Sequence, residues 1–268
     1  MYDELLQSAI LAAKTAGKMI KDASRNKISL DIETKAKNDF VTNVDKASEA
    51  CIKKILIERH PDYAVMAEES SSAKTIPPDR YWVIDPLDGT TNYIHGFPPY
   101  CVSIGLCEGI VPILGVIYDP TRDELFHAAK GQGAYLNGKP IKVSGCENLS
   151  DGLIATGFLF RDMDVMEQCL NCFKEVLQKC QGVRRPGAAA IDLAYVACGR
   201  LDGFWEQGLY PWDASAGSVI VMEAGGTVTN FHGGESYLFD RTIVATNSKI
   251  HFELQSIVQR FMPATFFQ

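Results

Sequence analysis

Long apolar runs are missing from this sequence. Nowhere do about 18–20 consecutive hydrophobic residues occur, so no membrane-spanning helix is expected. Positive charge is also in short supply. Lys and Arg number 26 against 33 Asp and Glu, a net charge of −7, whereas a polyanion as main partner demands clustered cations. Direct nucleic-acid binding is therefore not expected, but a small anionic ligand stays open if bound cations reverse the local sign. Histidine is scarce, with five residues scattered along the chain, which removes the paired ligands of a zinc site. Met1-Tyr2-Asp3-Glu4 lacks the basic opening of a secretory signal, and the cytoplasm is the expected compartment. Internal repeats and low-complexity segments are absent as well.

Cysteine is not scarce, with eight residues, but the spacing is irregular and a chain of 268 residues needs no staples. Cys169-Leu170-Asn171-Cys172 is a lone C-x-x-C inside an amphipathic helical pattern. Buried, reduced thiols are expected. A hydrophobic share of 46 % predicts a globular chain and excludes wholesale disorder. A single domain over 1–268 is expected, with halves at about 1–148 and 149–268 meeting near the polar stretch Gly145–Gly152.

Apolar side chains at helical spacing (Leu5, Leu6, Ala9, Ile10, Ala13, Ala16, Ile20) predict a helix over 4–23. A second is predicted from Val44 to Arg59, stopped at His60-Pro61 because proline disfavours helix in the residue before it. Tyr81–Ile84 reads as a short buried strand, and Cys101–Cys107 with Val111–Tyr118 as a strand pair. Further strands are predicted at 124–128, 133–136, 141–143, 153–157, 203–206, 227–229 and 243–245. Helices are predicted at 162–178, 189–198, 214–224 and 250–261. Paired strands followed by interleaved helices and strands predict an α/β (α+β) layered sandwich.

The densest chemistry is Asp85-Pro86-Leu87-Asp88-Gly89-Thr90-Thr91. A buried strand delivers Asp85, Pro86 breaks the ladder, and Asp88 can face the same point three residues later. Gly89 permits close backbone approach, and the amides of Gly89, Thr90 and Thr91 open the next helix as an anion cradle. Two carboxylates beside such a cradle repel a phosphate unless cations intervene, and Mg2+ takes carboxylate, carbonyl and phosphate oxygens together. Glu68 follows the apolar Ala64-Val65-Met66 and so sits at another strand end. Asp45 and Asp213 stand at helix mouths, where ordinary capping is the alternative role.

Together these pieces resemble the inositol monophosphatase family. The matching stretches are Asn38-Asp39-Phe40-Val41-Thr42 with Asp45, Glu68-Glu69, Asp85 to Tyr93, and Trp212-Asp213 followed by Gly217 and Glu223-Ala224-Gly225-Gly226. The resemblance implies the layered fold shared with fructose-1,6-bisphosphatase and two to three Mg2+ ions. Glu68, Asp85 and the Leu87 carbonyl would hold the first ion. Asp85, Asp88 and Asp213 would hold the second, and Glu68 would support a third. It further implies a water oriented by Thr90 and Asp45, and phosphate on the Gly89 and Thr90 amides. A polyol would lie against Gly187, Ala188, Ala189 and Glu206. Position 188 usually carries Ser or Thr in the family, so Ala188 forgoes one hydroxyl contact. Arg184 and Arg185 are assigned a structural role near a subunit contact. The implied activity is hydrolysis of inositol 1-phosphate by a lithium-sensitive homodimer. The runners-up are fructose 1,6-bisphosphate or adenosine 3′,5′-bisphosphate as substrate. Some bacterial relatives also match around Asp192-Leu193-Ala194-Tyr195 and act as antitermination partners, which makes contact with a transcription factor a further expectation.

Overall fold

The structure, a computed structural model, describes residues 2–25, 31–36, 39–70, 76–77, 79–158 and 165–261. Helices α1 (Asp3–Arg25) and α2 (Asn43–Arg59) flank an antiparallel pair, β1 (Ile32–Ala36) and β2 (Asp39–Thr42). Next come β3 (Ala64–Ala67), β4 (Arg80–Asp88), the short helix α3 (Thr90–Ile94), β5 (Cys101–Glu108) and β6 (Val111–Asp119). Three more strands follow, β7 (Glu124–Ala129), β8 (Ala134–Leu136) and β9 (Lys139–Ile141). Strands β3 to β9 form one seven-stranded sheet in chain order, parallel at β3–β4 and antiparallel elsewhere.

The second half runs β10 (Leu153–Thr156), α4 (Met166–Lys179), β11 (Gly182–Arg184), α5 (Ala189–Ala197) and β12 (Gly203–Gln207). It continues through α6 (Pro211–Glu223), β13 (Thr227–Thr229), α7 (Tyr237–Asp240), β14 (Thr242–Thr246) and α8 (His251–Phe261). Its five strands are ordered β11-β10-β12-β14-β13.

Alternation along the strands builds the layers. Trp82, Ile84, Val102, Ile104 and Leu106 face a core shared with Ala9, Ile20, Ile52 and Leu56 of α1 and α2. Tyr81, Val83, Cys101 and Cys107 face the opposite core, with Ala190, Leu193, Ala216 and Ile220 of α5 and α6 and Phe204 and Ala245 of the second sheet. Ile154, Trp205 and Val244 turn outward to Cys169, Cys172, Leu254 and Val258 of α4 and α8. The result is an α/β sandwich of five alternating layers. Strands apolar on both faces belong in such a middle layer, and each fully buried Leu, Ile or Val stabilises it by roughly 1.5–3 kcal/mol. Helix α6 lies almost on the backbone of the large sheet. A Cβ at Gly115 would overlap the carbonyl and Cα of Ala216.

Several details depart from the sequence-based expectation. Pro86 does not end its strand; β4 continues to Asp88 across a register shift between Asp85 and Asp88, a bulge that accommodates the residue lacking an amide hydrogen. The strand expected at 141–143 lies at Lys139–Ile141. The helix expected at 162–178 begins at Met166, and its first three positions lie outside the described residues, as do Lys37 and Asn38. Strands β1, β2 and β11 and helix α7 were not foreseen. All eight cysteines are free, four of them buried and four half-buried.

Candidate active site

The bulge in β4 gathers the site. Asp85 is 2 % exposed and pairs across the ladder with Ser103. The Ser103 hydroxyl donates to the Trp212 carbonyl at 3.2 Å, tying the start of α6, and with it Asp213, to this point. On the other side β3 runs parallel to β4 with Ala67 opposite Ile84, and the Glu68 amide donates to the Ile84 carbonyl at 3.1 Å. Glu68 thus stands beside Asp85. Asp88 reaches α5 instead, accepting from the Ala190 amide at 2.8 Å.

These groups also act on one another electrostatically. Burial raises the Asp85 pKa well above the carboxylate range, and Glu68, Asp88 and Asp213 all push it further. Asp88 is pushed up to about 7, chiefly by burial, with the Ala190 amide opposing and Glu68 adding to the rise. The oxygens of these four carboxylates and the Leu87 carbonyl are hard donors, of the kind that suits Mg2+ and not a soft metal. Among the described residues no group of three or more His, Cys, Asp or Glu side chains is arranged to hold a metal ion as it stands. The carboxylates are neighbours through their fields, not a closed ring.

Asp45 and Asp213 stand at the third position of α2 and α6, where each carboxylate reaches back to the amide of the N-cap residue. Neither is the N-cap itself. Thr42 caps α2, and Asp45, three positions on, accepts from the Thr42 amide at 2.9 Å through Oδ2. Its Oδ1 accepts from the Thr90 hydroxyl at 2.9 Å. Asp213 likewise accepts from the Tyr210 amide at 2.7 Å through Oδ2. Thr90 has a single proton and a second acceptor in reach, the Leu87 carbonyl at 3.0 Å. Burial holds the Asp45 pKa above its ordinary value, against the lowering effect of its Thr42 and Thr90 bonds. Gly89, which precedes α3, has φ +89°, and a Cβ there would lie 3.1 Å from the Pro99 carbonyl and 3.3 Å from the Ala188 Cβ. Only glycine meets both demands.

A cleft of about 140 Å3 opens beside the carboxylates, lined among others by Asp88, Asp213, Gly187, Ala188, Ala189 and Glu206. Asn92 fixes its rim by donating to the Pro99 and Pro186 carbonyls, each at 2.8 Å. Glu206 shows part of its surface to the cleft, yet burial pushes its carboxyl up to about 8, with Arg185 opposing and Asp213 and Asp88 adding to the rise. Arg185 lines the cleft, while the Arg184 guanidinium turns back to the Val183 carbonyl. Thr156, Gly157 and Asp192 also line the cleft. No local signal singles them out, because each is part of an ordinary strand end or an apolar helix.

The chain matches the model of the inositol monophosphatase family over residues 1–261. The Nus factor SuhB of Escherichia coli K12 is 43 % identical over 246 residues, covering 92 % of each chain. An inositol-1-monophosphatase of Synechocystis is 48 % identical over 216 residues, covering 81 % of this chain and 75 % of the relative. The crystal structure of the extragenic suppressor protein suhB from Bartonella henselae superposes with a TM-score of 0.90 at 36 % identity, covering 96 % of this chain and 99 % of that one. No described helix is long and apolar enough to cross a membrane. With its layered fold and this whole-length match, the chain belongs to the inositol monophosphatase family, a family of phosphatases.

Proposed function

We propose that this protein is a Mg2+-dependent phosphomonoesterase that hydrolyses inositol 1-phosphate to inositol and phosphate. The observation that supports it most is Asp85, a buried carboxyl whose acidic neighbours Glu68, Asp88 and Asp213 all raise its pKa. Negative charge concentrated this way in a low-dielectric site is offset by a bound cation. Asp85 with Glu68 and the Leu87 carbonyl would hold one Mg2+, Asp85 with Asp88 and Asp213 a second, and Glu68 would support a third. When bound, Mg2+ supplies Lewis-acid polarisation of the phosphate and a water of lowered pKa.

The chain's own residues would do the rest. The Gly89 and Thr90 amides, at a helix start where no helical carbonyl lies one turn upstream to accept from them, hold phosphate oxygens. Thr90 accepts a hydrogen bond from the attacking water while donating its own proton to Asp45. Because burial strengthens Asp45 as a base, the water proton passes to Thr90 as the Thr90 proton passes to Asp45. The water oxygen bonds to phosphorus as the bond to the polyol oxygen breaks, with no phosphorylated side chain between; the leaving alkoxide takes a proton from solvent water, and Asp45 returns its own to solvent. Gly187, Ala188, Ala189 and Glu206 line the space for the polyol. Phosphate release from inositol 1-phosphate, with and without Mg2+ and then with Li+ added, tests this. Release that is indifferent to Mg2+ would sink it. The values of kcat/KM for fructose 1,6-bisphosphate and adenosine 3′,5′-bisphosphate, measured alongside, decide between substrates.

The similarity to proteins named Nus factor SuhB favours a second role, contact with the transcription machinery. It predicts a complex with a transcription factor that survives Asp88→Asn while hydrolysis is lost. Failure of any such factor to co-purify removes this role.

A further inference from the structure

Asp192 has no part in the scheme above. It sits on α5 at 1 % exposure, and its Oδ1 is buried with no hydrogen-bond partner. The adjacent Ile191 and Leu193 are fully buried and apolar, so packing alone puts no demand for an acid between them. A buried acceptor left without a donor destabilises the fold, and an apolar residue of the same shape would remove that penalty. Asp192 also lines the cleft that holds Glu206 and Arg185, and its charge is acted on by Glu206, Asp88 and Arg185. Glu206 in turn occupies space made by a missing side chain, since a Cβ at Gly157 would overlap its carboxyl. Two acceptor groups are therefore built into the cleft, one of them unmet in the protein itself.

We infer that Asp192 is a specificity-determining residue that accepts a hydrogen bond from a hydroxyl of the leaving polyol, beside Glu206. The inference rests on the phosphatase reading above. A site that hydrogen-bonds a substrate hydroxyl rejects analogues lacking it, because its own buried acceptor is then left unpaired. Asp192 would thus favour polyhydroxylated leaving groups over aryl or simple alkyl ones.

The test uses the full chain with Mg2+ and compares kcat/KM for inositol 1-phosphate and phenyl phosphate in wild type, Asp192→Leu and Asp192→Asn. The leucine variant is expected to lose roughly 10–100-fold on inositol 1-phosphate and to stay within about twofold on phenyl phosphate. Its melting temperature is expected to rise, since the unmet acceptor is gone. The asparagine variant keeps an acceptor oxygen and is expected to recover most of the loss. Equal falls on both substrates, or no fall on either, overturn the assignment. The ratio of the two values is the readout, so Asp192→Ala serves equally where the leucine variant does not fold. A wild type that releases phosphate from neither ester defeats the phosphatase reading itself, a result distinct from a lost preference.

Discussion

Replacing Asp88 by asparagine separates the charge of the acidic cluster from its shape. Oδ2 of Asp88 accepts from the Ala190 amide at 2.8 Å, a bond that the asparagine carbonyl oxygen reproduces, so α5 keeps its anchor. The charge does not survive the change. Burial pushes Asp88 up from 3.8 to about 7, net of the opposing Ala190 bond. At about 1.4 kcal/mol per tenfold change in proton affinity, ionising it at pH 8 in the metal-free protein costs at most roughly 4 kcal/mol. The asparagine variant, freed of metal with a chelator, is therefore expected to melt several degrees above chelated wild type at pH 8. Magnesium narrows the difference. A ligand at about 100 times its Kd adds about 2.7 kcal/mol to the native state, or roughly 5–10 °C for a chain of this size. Wild type is expected to show that rise, and the variant half of it or less, with hydrolysis lost. Scanning calorimetry of the four samples decides the matter. Chelated wild type melting at or above the variant, or an equal Mg2+ gain in both, would refute the cation nest.

Thr90→Val removes the hydroxyl between Asp45 and the Leu87 carbonyl and is expected to lower kcat by roughly 10²–10⁴. In steady-state assays KM should barely move and Thr90→Ser should restore most of the rate; a valine variant of normal kcat rules out the relay. Metal-free stability should fall as pH rises. Glu206 is displaced from 4.5 to about 8 and Asp88 from 3.8 to about 7, both chiefly by burial. Each group binds its proton more tightly when folded, so its contribution is complete below about pH 4 and gone near pH 8. Urea denaturation should therefore show greater stability at pH 5 than at pH 8, with Mg2+ removing the Asp88 share; a rise towards pH 8 contradicts the assignment. Gly89→Ala forces an L-residue to φ +89° against the Pro99 carbonyl and is expected to cost roughly 1–3 kcal/mol. It should also weaken competitive inhibition by inorganic phosphate, and unchanged inhibition would remove the cradle from the scheme.

The central strands were legible because apolar alternation is a local property. Tyr81–Ile84 and Cys101–Tyr118 carry it on both faces, and both became inner strands of the large sheet. The pair β1–β2 escaped notice because Ile32-Glu33-Thr34 and Asp39-Phe40 alternate too briefly and too polarly. Strand β11, three residues long, exists only by pairing with β10. Asp45 and Asp213 do stand at helix mouths, and the capping weighed as their alternative role belongs to the residue three positions before each. The third helical position, not the N-cap, is what lets Asp45 spend one oxygen on the backbone and the other on Thr90.

The sequence on its own established the layered α/β class and the kinds of groups the site holds, and its motif stretches carried the family resemblance. All three follow from short-range patterns, namely periodicity, turn residues and the D-P-L-D-G-T-T run. Tertiary structure alone decided that Glu68, Asp88 and Asp213 act on Asp85, that Arg185 turns to the cleft, and that Asp192 is buried with an oxygen unmet. Burial and electrostatic coupling depend on distances between segments far apart in the chain, and only the packing of α5 and α6 against the bulged strand sets those distances.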